Sequence, residues 1–311
     1  MVTVESRSKS LRSCELQLDG KTSLDDVLVQ ISKQNKGISK HRLRLTYLKE
    51  NKQVPIIEDA FFSKDDGASI SGMTLYVKDL GPQISWRLVF FIEYLGPILI
   101  HSALYYLSTK SAARERFHSR RPYDPFLNQV AYILVMGHYF KREFETLFVH
   151  QFSLATMPLF NVFKNSFHYW ILNGAISFGY FGYGFLLSNE RVYEVLDTLR
   201  LTKLSTLIAL FALAETWNFY IHVRLRVWGD QQKALGNAKK RVPINDGVFK
   251  ALVAPNYTFE VWAWIFFTVI FKFNFFGVLF LTVSTTQMYL WAQKKNKKYG
   301  TRRAFLIPYI V

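Results

Sequence analysis

Long apolar runs dominate the chain after residue 85. They occupy residues 86–107, 146–163, 167–187, 204–223 and 261–291. A bilayer core requires about 20 apolar residues per helical span, and a lipid-exposed backbone must satisfy its own hydrogen bonds. The last run is long enough for two spans, and residues 127–140 add a short, partly polar one. The sequence therefore predicts an all-α polytopic membrane bundle of about six to seven transmembrane helices.

Residues 1–80 lack such runs and indicate a separate soluble domain. The pattern predicts strands at residues 2–6, 15–18, 41–47 and 73–77, with a helix at 22–33 between the second and the third. This β-β-α-β-β order resembles an α+β ubiquitin-like fold. We expect the domain to end at residue 80, where DLGP at 79–82 breaks the chain, and the membrane domain to occupy 81–311. The N-terminal domain contains no cluster of nucleophile, base or metal ligands, which favours a scaffold or docking role over chemistry.

The formal net charge is +16, which in a soluble protein would suggest nucleic-acid binding. The basic residues instead cluster just outside the apolar runs, at residues 110–121, 224–241 and 294–303. This placement is typical of cytosolic loops under the positive-inside rule. A basic loop near a reactive pocket could also attract the phosphates of a nucleotide or of coenzyme A. Both interpretations stay open, and we expect no nucleic-acid partner.

The start of the chain and its motif content narrow the chemistry. No apolar stretch follows Met1, so we expect no cleavable signal peptide and a cytosolic N-terminal domain. The single cysteine, Cys14, excludes an intrachain disulfide and suits a reducing compartment. The sequence has no CxxC, HExxH, Walker or GxGxxG motif. We therefore expect no metal, and a cofactor would have to be held by membrane helices and their loops.

Glu93 lies inside the first apolar run, with His101 two turns further on. An ionisable group in hydrocarbon costs roughly 2.5–3.5 kcal/mol on insertion scales, so it needs a partner, a water-filled cavity or a task. Glu93 is a candidate functional residue on this ground. The alternative is a structural pair with an arginine or histidine of another helix.

Charged side chains also end the second predicted span. His138 and Arg142 are four residues apart and share a helix face, and His150 follows them. The alternative is an interfacial belt, because tyrosine, lysine and arginine are common at membrane boundaries. A lone histidine also more often satisfies a polar neighbour than performs chemistry.

Asn218, His222 and Arg226 recur every four residues near the end of a predicted span. This spacing places an amide, an imidazole and a guanidinium in one column on a helix, which suits a phosphate or a ribose. Hydrogen bonding between helices by Asn218 and topological anchoring by Arg226 are the alternatives.

The segment PNYTFE at residues 255–260 follows the basic loop. Asn256 is a candidate helix cap, and Glu260 is a candidate acid of the first turn. Tyr257 is left as either an aromatic residue of the interfacial belt or a hydrogen-bond donor to substrate.

Six segments together resemble the very-long-chain trans-2-enoyl-CoA reductases of the steroid 5-alpha-reductase family. They are DLGPQISW at 79–86, FFIEYLGP at 90–97, HYFKR at 138–142, ETLFVHQFS at 145–153, PNYTFE at 255–260 and IPY at 307–309. The resemblance covers essentially the whole chain. It departs from the steroid reductases near residues 294–299, where those enzymes have a histidine-rich segment and this chain has lysines.

The resemblance implies a role for each matching residue. Tyr257 is expected to donate the proton, with Glu93 and Tyr139 polarising a substrate carbonyl. The residues expected to bind the cofactor are Arg142, His150, Asn218, His222, Arg226, Asn256, Glu260 and Tyr299. The residues expected to contact substrate are Gln83, His138 and Lys141.

The implied activity is NADPH-dependent reduction of very-long-chain trans-2-enoyl-CoA, the last step of the fatty-acid elongation cycle. NADPH rather than NADH is favoured because several arginines are available for a 2′-phosphate. The implied setting is the endoplasmic reticulum membrane, with the N-terminal domain and the active site facing the cytosol. Expected partners are membrane lipid and the other elongation enzymes: the elongase, the 3-ketoacyl-CoA reductase and the 3-hydroxyacyl-CoA dehydratase.

Other functions remain open at this point. A steroid or polyprenol reductase would use the same polar core with a different lipid pocket. An isoprenylcysteine methyltransferase on a related bundle would instead consume S-adenosylmethionine. In a non-enzymatic membrane scaffold, Glu93 would be structural and the N-terminal domain would recruit partners.

Overall fold

The computed structural model describes residues 1–18, 22–62, 72–117, 122–152, 155–182, 189–237 and 242–307. The chain forms two compact units. The first contains Met1–Trp86 and Phe152–Asn161, and the second contains Arg87–Gln151 and Val162–Val311. Residues 153–154, 183–187 and 308–309, which belong to predicted segments, lie outside the described residues.

A five-stranded sheet forms most of the first unit. Its elements are β1 Val2–Ser6, β2 Cys14–Leu16, α1 Leu24–Gln34, β3 Leu43–Lys49, β4 Lys52–Pro55 and β5 Thr74–Asp79. The sheet order is β2-β1-β5-β3-β4, and the two strands β1 and β5 run parallel. The sequence did not predict β4, because it has one apolar residue and follows a turn without glycine. In that turn Glu50 and Asn51 both have positive φ, which suits a two-residue hairpin.

Local chemistry stabilises the ends of these elements. Ser23 caps α1 by accepting a hydrogen bond from the Asp26 amide, and the Asp26 side chain reaches back to the Ser23 amide, forming a capping box. At the end of β5, Arg42 donates to Asp79 from Nε at 3.0 Å and from Nη2 at 2.6 Å. Together with hydrogen bonds from Gly81 and Ser10, this arginine lowers the pKa of Asp79 to about 2. Two short strands, β6 Gln83–Ser85 and β7 Thr156–Pro158, also pair in this unit.

Helices form the second unit. They are α2 Trp86–Ser108, α3 Ser111–Arg116, α4 Pro125–Phe144, α5 Phe160–Ser166, α6 Asn189–Thr198, α7 Leu204–Ala234, α8 Pro255–Ile270 and α9 Phe275–Tyr299. Residues Glu145–Val149 and Phe167–Asn173 are π-helical, and Gly174–Phe181 form a 3₁₀ helix. Within the described part of the chain, α2, α7 and α9 are long and apolar enough to cross a membrane. The protein is therefore mostly helical and has the character of a membrane protein.

Two of the predicted apolar runs are divided in the structure. The run at 261–291 divides into α8 and α9, because the chain turns at Lys272 and Phe273, which both have positive φ. The run at 146–163 is not one span. It contains a π-helical turn, the strand β7 and part of α5, because residues 156–158 pair with β6 instead of continuing a helix.

The core of the second unit is rich in aromatic side chains. Tyr94, Tyr139, Tyr180 and Phe267 are each at most 1% exposed within it. Helices α7 and α8 pack along each other. The C-terminal end of α4, the middle of α7 and the N-terminal half of α8 bring polar side chains together beside this core.

Candidate active site

Glu145 is the centre of a buried ionic cluster. It is 0% exposed and begins the π-helical turn directly after α4. Arg142 Nη1 lies 2.5 Å from Glu145 Oε2, and His222 Nδ1 of α7 lies 3.0 Å from Glu145 Oε1. Arg142 also donates from Nη2 to the Tyr94 hydroxyl at 2.7 Å. Arg142 Nη1 also lies 3.2 Å from His222 Nδ1, so the carboxylate and the guanidinium together join α4 to α7, and the guanidinium also reaches α2.

A second carboxylate, Glu215 of α7, binds two residues that the resemblance assigned to the substrate. Lys141 Nζ lies 2.7 Å from Glu215 Oε2, and His138 Nδ1 lies 2.8 Å from Glu215 Oε1. The other ring nitrogen of His138 lies 3.3 Å from Glu260 Oε1. His138 thus bridges a carboxylate of α7 and a carboxylate of α8.

Asn218 connects the parts of this network. Its Oδ1 accepts from Lys141 Nζ at 2.5 Å. Its Nδ2 donates to the Asn256 carbonyl at 2.8 Å and to Glu260 Oε2 at 3.2 Å. The expected cap and first-turn acid are not found, because the N-cap is Ala254 without a side-chain bond and Asn256 already lies in the helix. Glu260 lies beyond the first turn and contacts His138 and Trp264 instead.

The Tyr139 hydroxyl lies beside this network without a hydrogen-bond partner among the described residues. Tyr139 is 0% exposed. Its ring centre is 6.2 Å from that of Tyr94 and 6.3 Å from that of Trp264. A buried hydroxyl without a partner is unfavourable. The side-chain oxygen and nitrogen of Asn173 also lack a described partner, so a missing partner alone does not indicate a ligand site. The Tyr139 hydroxyl indicates one because ionic groups also surround it.

Glu93 is buried in α2, with 1% of its surface exposed. The alternative from the sequence was an ion pair with an arginine or histidine, but the partner of Glu93 Oε1 is an asparagine. That oxygen accepts a hydrogen bond from Asn165 Nδ2 at 2.5 Å. His101, further along α2, contacts the Tyr180 hydroxyl at 3.0 Å and the Asn173 carbonyl at 3.2 Å, so it is a satisfied core histidine.

Tyr257 lies on the first turns of α8, against α9. Its ring centre is 6.0 Å from that of Trp291, and Lys295 Nζ lies 4.3 Å from the Tyr257 ring centre. Trp264, which contacts Tyr139, follows Tyr257 by seven residues on the same face of α8. Tyr257 and the Trp264 side chain that Tyr139 contacts are therefore about 10 Å apart along the axis of α8.

A pocket opens between the ends of α7, α8 and α9. Its polar lining includes Asn256, Lys295, Tyr299 and Arg303, and its aromatic lining includes Trp228. Arg303 donates to the Ile244 carbonyl at 2.8 Å and to Asn245 Oδ1 at 3.2 Å. Neither of these partners is charged, so the positive charge of Arg303 remains available. The pocket joins two residues expected at the cofactor, Asn256 and Tyr299.

The remaining predicted residues lie at the margin of the network or outside it. Arg226 Nε lies 2.8 Å from Asp230 of its own helix, and its Nη1 donates to the Val149 carbonyl at 3.3 Å. His150 Nε2 lies 4.0 Å from Glu145 Oε2, and the His150 ring packs edge-on against His222. Gln83 belongs to β6 of the first unit and donates to the Gly81 carbonyl at 3.2 Å.

Glu145, His150 and His222 also meet a geometric condition for a metal site. One ligand atom from each lies within 4.8 Å of the others. Arg142 already contacts this carboxylate at 2.5 Å, and its guanidinium would repel a divalent cation. The arrangement therefore favours an ion pair over a metal centre.

Among the residues that were not assigned from the sequence are Glu145, Glu215 and Asn165. Glu145 follows Arg142 by three residues, and Glu215 precedes Asn218 by three. This helical spacing was the signal that could have found them. Asn165 had no such signal, because it reaches Glu93 through tertiary packing.

The family model for 3-oxo-5-alpha-steroid 4-dehydrogenase matches residues 155–311, about half of the chain. The chain belongs to this family. Members of the 3-oxo-5-alpha-steroid 4-dehydrogenase family are oxidoreductases, as the resemblance implied. The matched region contains α7, α8 and α9, and thus Asn218, His222, Tyr257 and Glu260.

Relatives cover nearly all of the chain. A Schizosaccharomyces pombe protein named as an enoyl reductase is 37% identical over 96% of this chain and 93% of its own length. The very-long-chain enoyl-CoA reductase of Dictyostelium discoideum is 32% identical over 93% of this chain and 92% of its own length. The human trans-2,3-enoyl-CoA reductase-like protein is 31% identical over 83% of this chain and 69% of its own length. The predicted resemblance to this group is confirmed.

Proposed function

We propose that the protein reduces the trans-2 double bond of very-long-chain enoyl-CoA with NADPH, completing the fatty-acid elongation cycle. Two relatives align with this chain over more than nine tenths of both sequences, and they are named as enoyl reductases. Their names support enoyl-CoA as the substrate class. The structural observation that carries the proposal is the buried Tyr139 hydroxyl, which lacks a described partner beside an ionic network. Such a donor is suited to the oxygen of a bound carbonyl.

The ionic network fits the polar body of a nucleotide cofactor better than its phosphates. It contains two cations, Lys141 and Arg142, against three carboxylates, Glu145, Glu215 and Glu260. Its own cations are therefore already matched. We assign to it, through Asn218 and His222, the amide and ribose groups of NADPH, which require donors and acceptors rather than net charge.

Positive charge for the phosphates is available at the ends of the same helices. Arg303 has only neutral described partners, and Lys295 lines the same pocket. Arg226 lies on α7, four residues after His222, and completes the predicted column. Its charge is matched by Asp230, so Arg303 and Lys295 are the principal candidates. An arginine can bind phosphate through two parallel hydrogen bonds. The residues present thus fit NADPH.

When bound, NADPH supplies the hydride that adds to C3 of the conjugated thioester. The protein then has to stabilise the negative charge that develops on the thioester oxygen and to place one proton at C2. Tyr139 and Glu93 are the proposed donors to that oxygen. Tyr257 is the proposed proton donor, because a phenol stays protonated at neutral pH and can both donate a hydrogen bond and release a proton.

The setting belongs to the same proposal. The basic ends of α7 and α9 favour a cytosolic position for the site under the positive-inside rule. We place the protein in the endoplasmic reticulum membrane, with about six to seven spans and in association with the other elongation enzymes. The mixed sheet packed with α1 supports a ubiquitin-like fold for the N-terminal domain, for which we propose a docking role.

The test is turnover by the purified, full-length protein. NADPH absorbance is followed with a long-chain trans-2-enoyl-CoA, a 4-ene-3-oxosteroid and a polyprenol as alternative substrates. The proposal requires consumption with the enoyl-CoA, in a one-to-one ratio to the saturated acyl-CoA formed. Consumption with the steroid or the polyprenol alone would assign the polar core to a different lipid. S-adenosylmethionine binding without NADPH binding would indicate a methyltransferase.

A further inference from the structure

A hydrogen bond at Glu93 involves a residue outside every predicted site. Asn165, near the end of α5, donates from Nδ2 to Glu93 Oε1 at 2.5 Å. Glu93 is 1% exposed, and Asn165 is partly buried. Because water does not replace a lost donor at this depth, Glu93 Oε1 depends on the Asn165 amide for its hydrogen bond.

The segment that contains Asn165 also holds the backbone around Glu93. Pro97 has no amide hydrogen, so the Glu93 carbonyl loses its normal helical donor. Trp170 Nε1 donates to the neighbouring Ile92 carbonyl at 2.9 Å. Gly96 makes this approach possible, because a Cβ at that position would lie 2.1 Å from the Trp170 ring. The turn of α2 that presents Glu93 is therefore supported from one side.

The π-helical turn accounts for this arrangement. Asn165 and Trp170 are five residues apart, and the chain passes from α5 into the π-helix Phe167–Asn173 between them. A π-helix closes its hydrogen bonds over five residues, so side chains five positions apart come closer to one face than in an α-helix. Both donors can thus reach α2 together.

We infer that Asn165 is a positioning residue that determines which oxygen of the Glu93 carboxyl group carries its proton. This inference rests on the proposed function, in which Glu93 donates a hydrogen bond to the thioester oxygen. A carboxyl group can donate only when it is protonated. The Asn165 amide occupies Oε1 as an acceptor, so the proton resides on Oε2. Oε2 is then the donor to substrate, and the proton stays on Glu93 throughout.

Two substitutions test this role in combination with Glu93→Leu. Asn165→Leu removes the amide donor at similar volume and is expected to lower kcat about tenfold, with the KM for NADPH unchanged. Asn165→Gln retains a donor and is expected to recover most of that loss. In the Glu93→Leu background, which has neither a carboxyl nor an amide group to position, Asn165→Leu is expected to change kcat by less than about twofold, because residues that act through one another are not additive.

Lys164→Leu is the matched control, since Lys164 is the exposed neighbour of Asn165 on the same helix. It is expected to leave kcat unchanged. Thermal melting in detergent establishes folding, and Asn165→Ala replaces Asn165→Leu should the leucine variant not fold. An equal loss of kcat in both backgrounds, or an unchanged kcat in a folded Asn165→Leu protein, would overturn the positioning role. Absence of turnover by the wild-type protein would instead overturn the proposed function, and this role with it.

Discussion

His222 Nδ1 lies 3.0 Å from Glu145 Oε1, and this contact joins α7 to the turn that ends α4. Glu145 is fully buried and is also bound by Arg142. The carboxylate is thus the common partner of two residues expected at the cofactor. Removing it would leave a buried guanidinium without its counter-ion.

Glu145→Gln is expected to destabilise the protein strongly. Removal of one partner from a buried ion pair costs about 3–5 kcal/mol, because the other charge is left unpaired. Glu143→Gln is the matched control, since Glu143 is 9% exposed and its carboxylate has no described hydrogen-bond partner. Thermal melting in detergent should show a large decrease for Glu145→Gln and no decrease for Glu143→Gln. Equal melting temperatures of the two variants would contradict the assigned ion pair.

Tyr139→Phe should separate stability from activity. The hydroxyl has no described partner, so its removal is expected to leave the melting temperature unchanged or to raise it. Loss of a donor to the developing charge is expected to lower kcat by about a hundredfold. Melting and steady-state kinetics on the same preparation measure both effects. A destabilised protein with normal kcat would show that the hydroxyl serves the fold instead.

Tyr257→Phe tests the proposed proton donor. The substitution keeps the aromatic ring against Trp291 and Lys295, so an interfacial role should tolerate it. A donor used mainly in the transition state should lose about a hundredfold in kcat with little change in KM. Kinetics on trans-2-enoyl-CoA decide between these roles. Near wild-type kcat in the folded variant would make Tyr139 the leading donor.

The N-terminal domain should become less stable as the pH falls through the range of Asp79. Arg42 lowers the pKa of Asp79 to about 2 from its usual value of 3.8. Its contribution is therefore complete above about pH 4 and is lost as the pH falls from about 4 towards 2. Pepsin cleavage of residues 1–86 in the full-length protein should increase across this range, and less steeply in Asp79→Asn. The control is Asp25→Asn, which removes an exposed pair with Lys40. The same pH dependence in wild type and Asp79→Asn would refute the assignment.

Local patterns in the sequence predicted much of the fold. The capped helix α1, the helix α2 and the division of the last apolar run into α8 and α9 all follow from short-range periodicity and turn residues. The run at 146–163 was wrongly assigned to one span. Apolar content alone does not distinguish a span from a π-helical turn followed by a strand.

The candidate site was predictable where its residues repeat along one helix. Asn218 and His222 are four residues apart, and both enter the buried network. Contacts between elements have no such signature. The hydrogen bond from Asn165 to Glu93 joins residues 72 positions apart, and only packing brings them together. The partner of each polar residue in the membrane region therefore had to come from the structure.

The source of the two hydrogens added to the substrate tests the proposed chemistry most directly. The purified protein would convert a long-chain trans-2-enoyl-CoA with unlabelled NADPH in deuterated water, and mass spectrometry would locate the label in the saturated acyl-CoA. Hydride addition at C3 and proton donation at C2 predict deuterium at C2 and unlabelled hydrogen at C3. Deuterium at C3, or no saturated acyl-CoA at all from a folded protein that binds NADPH, would contradict the account.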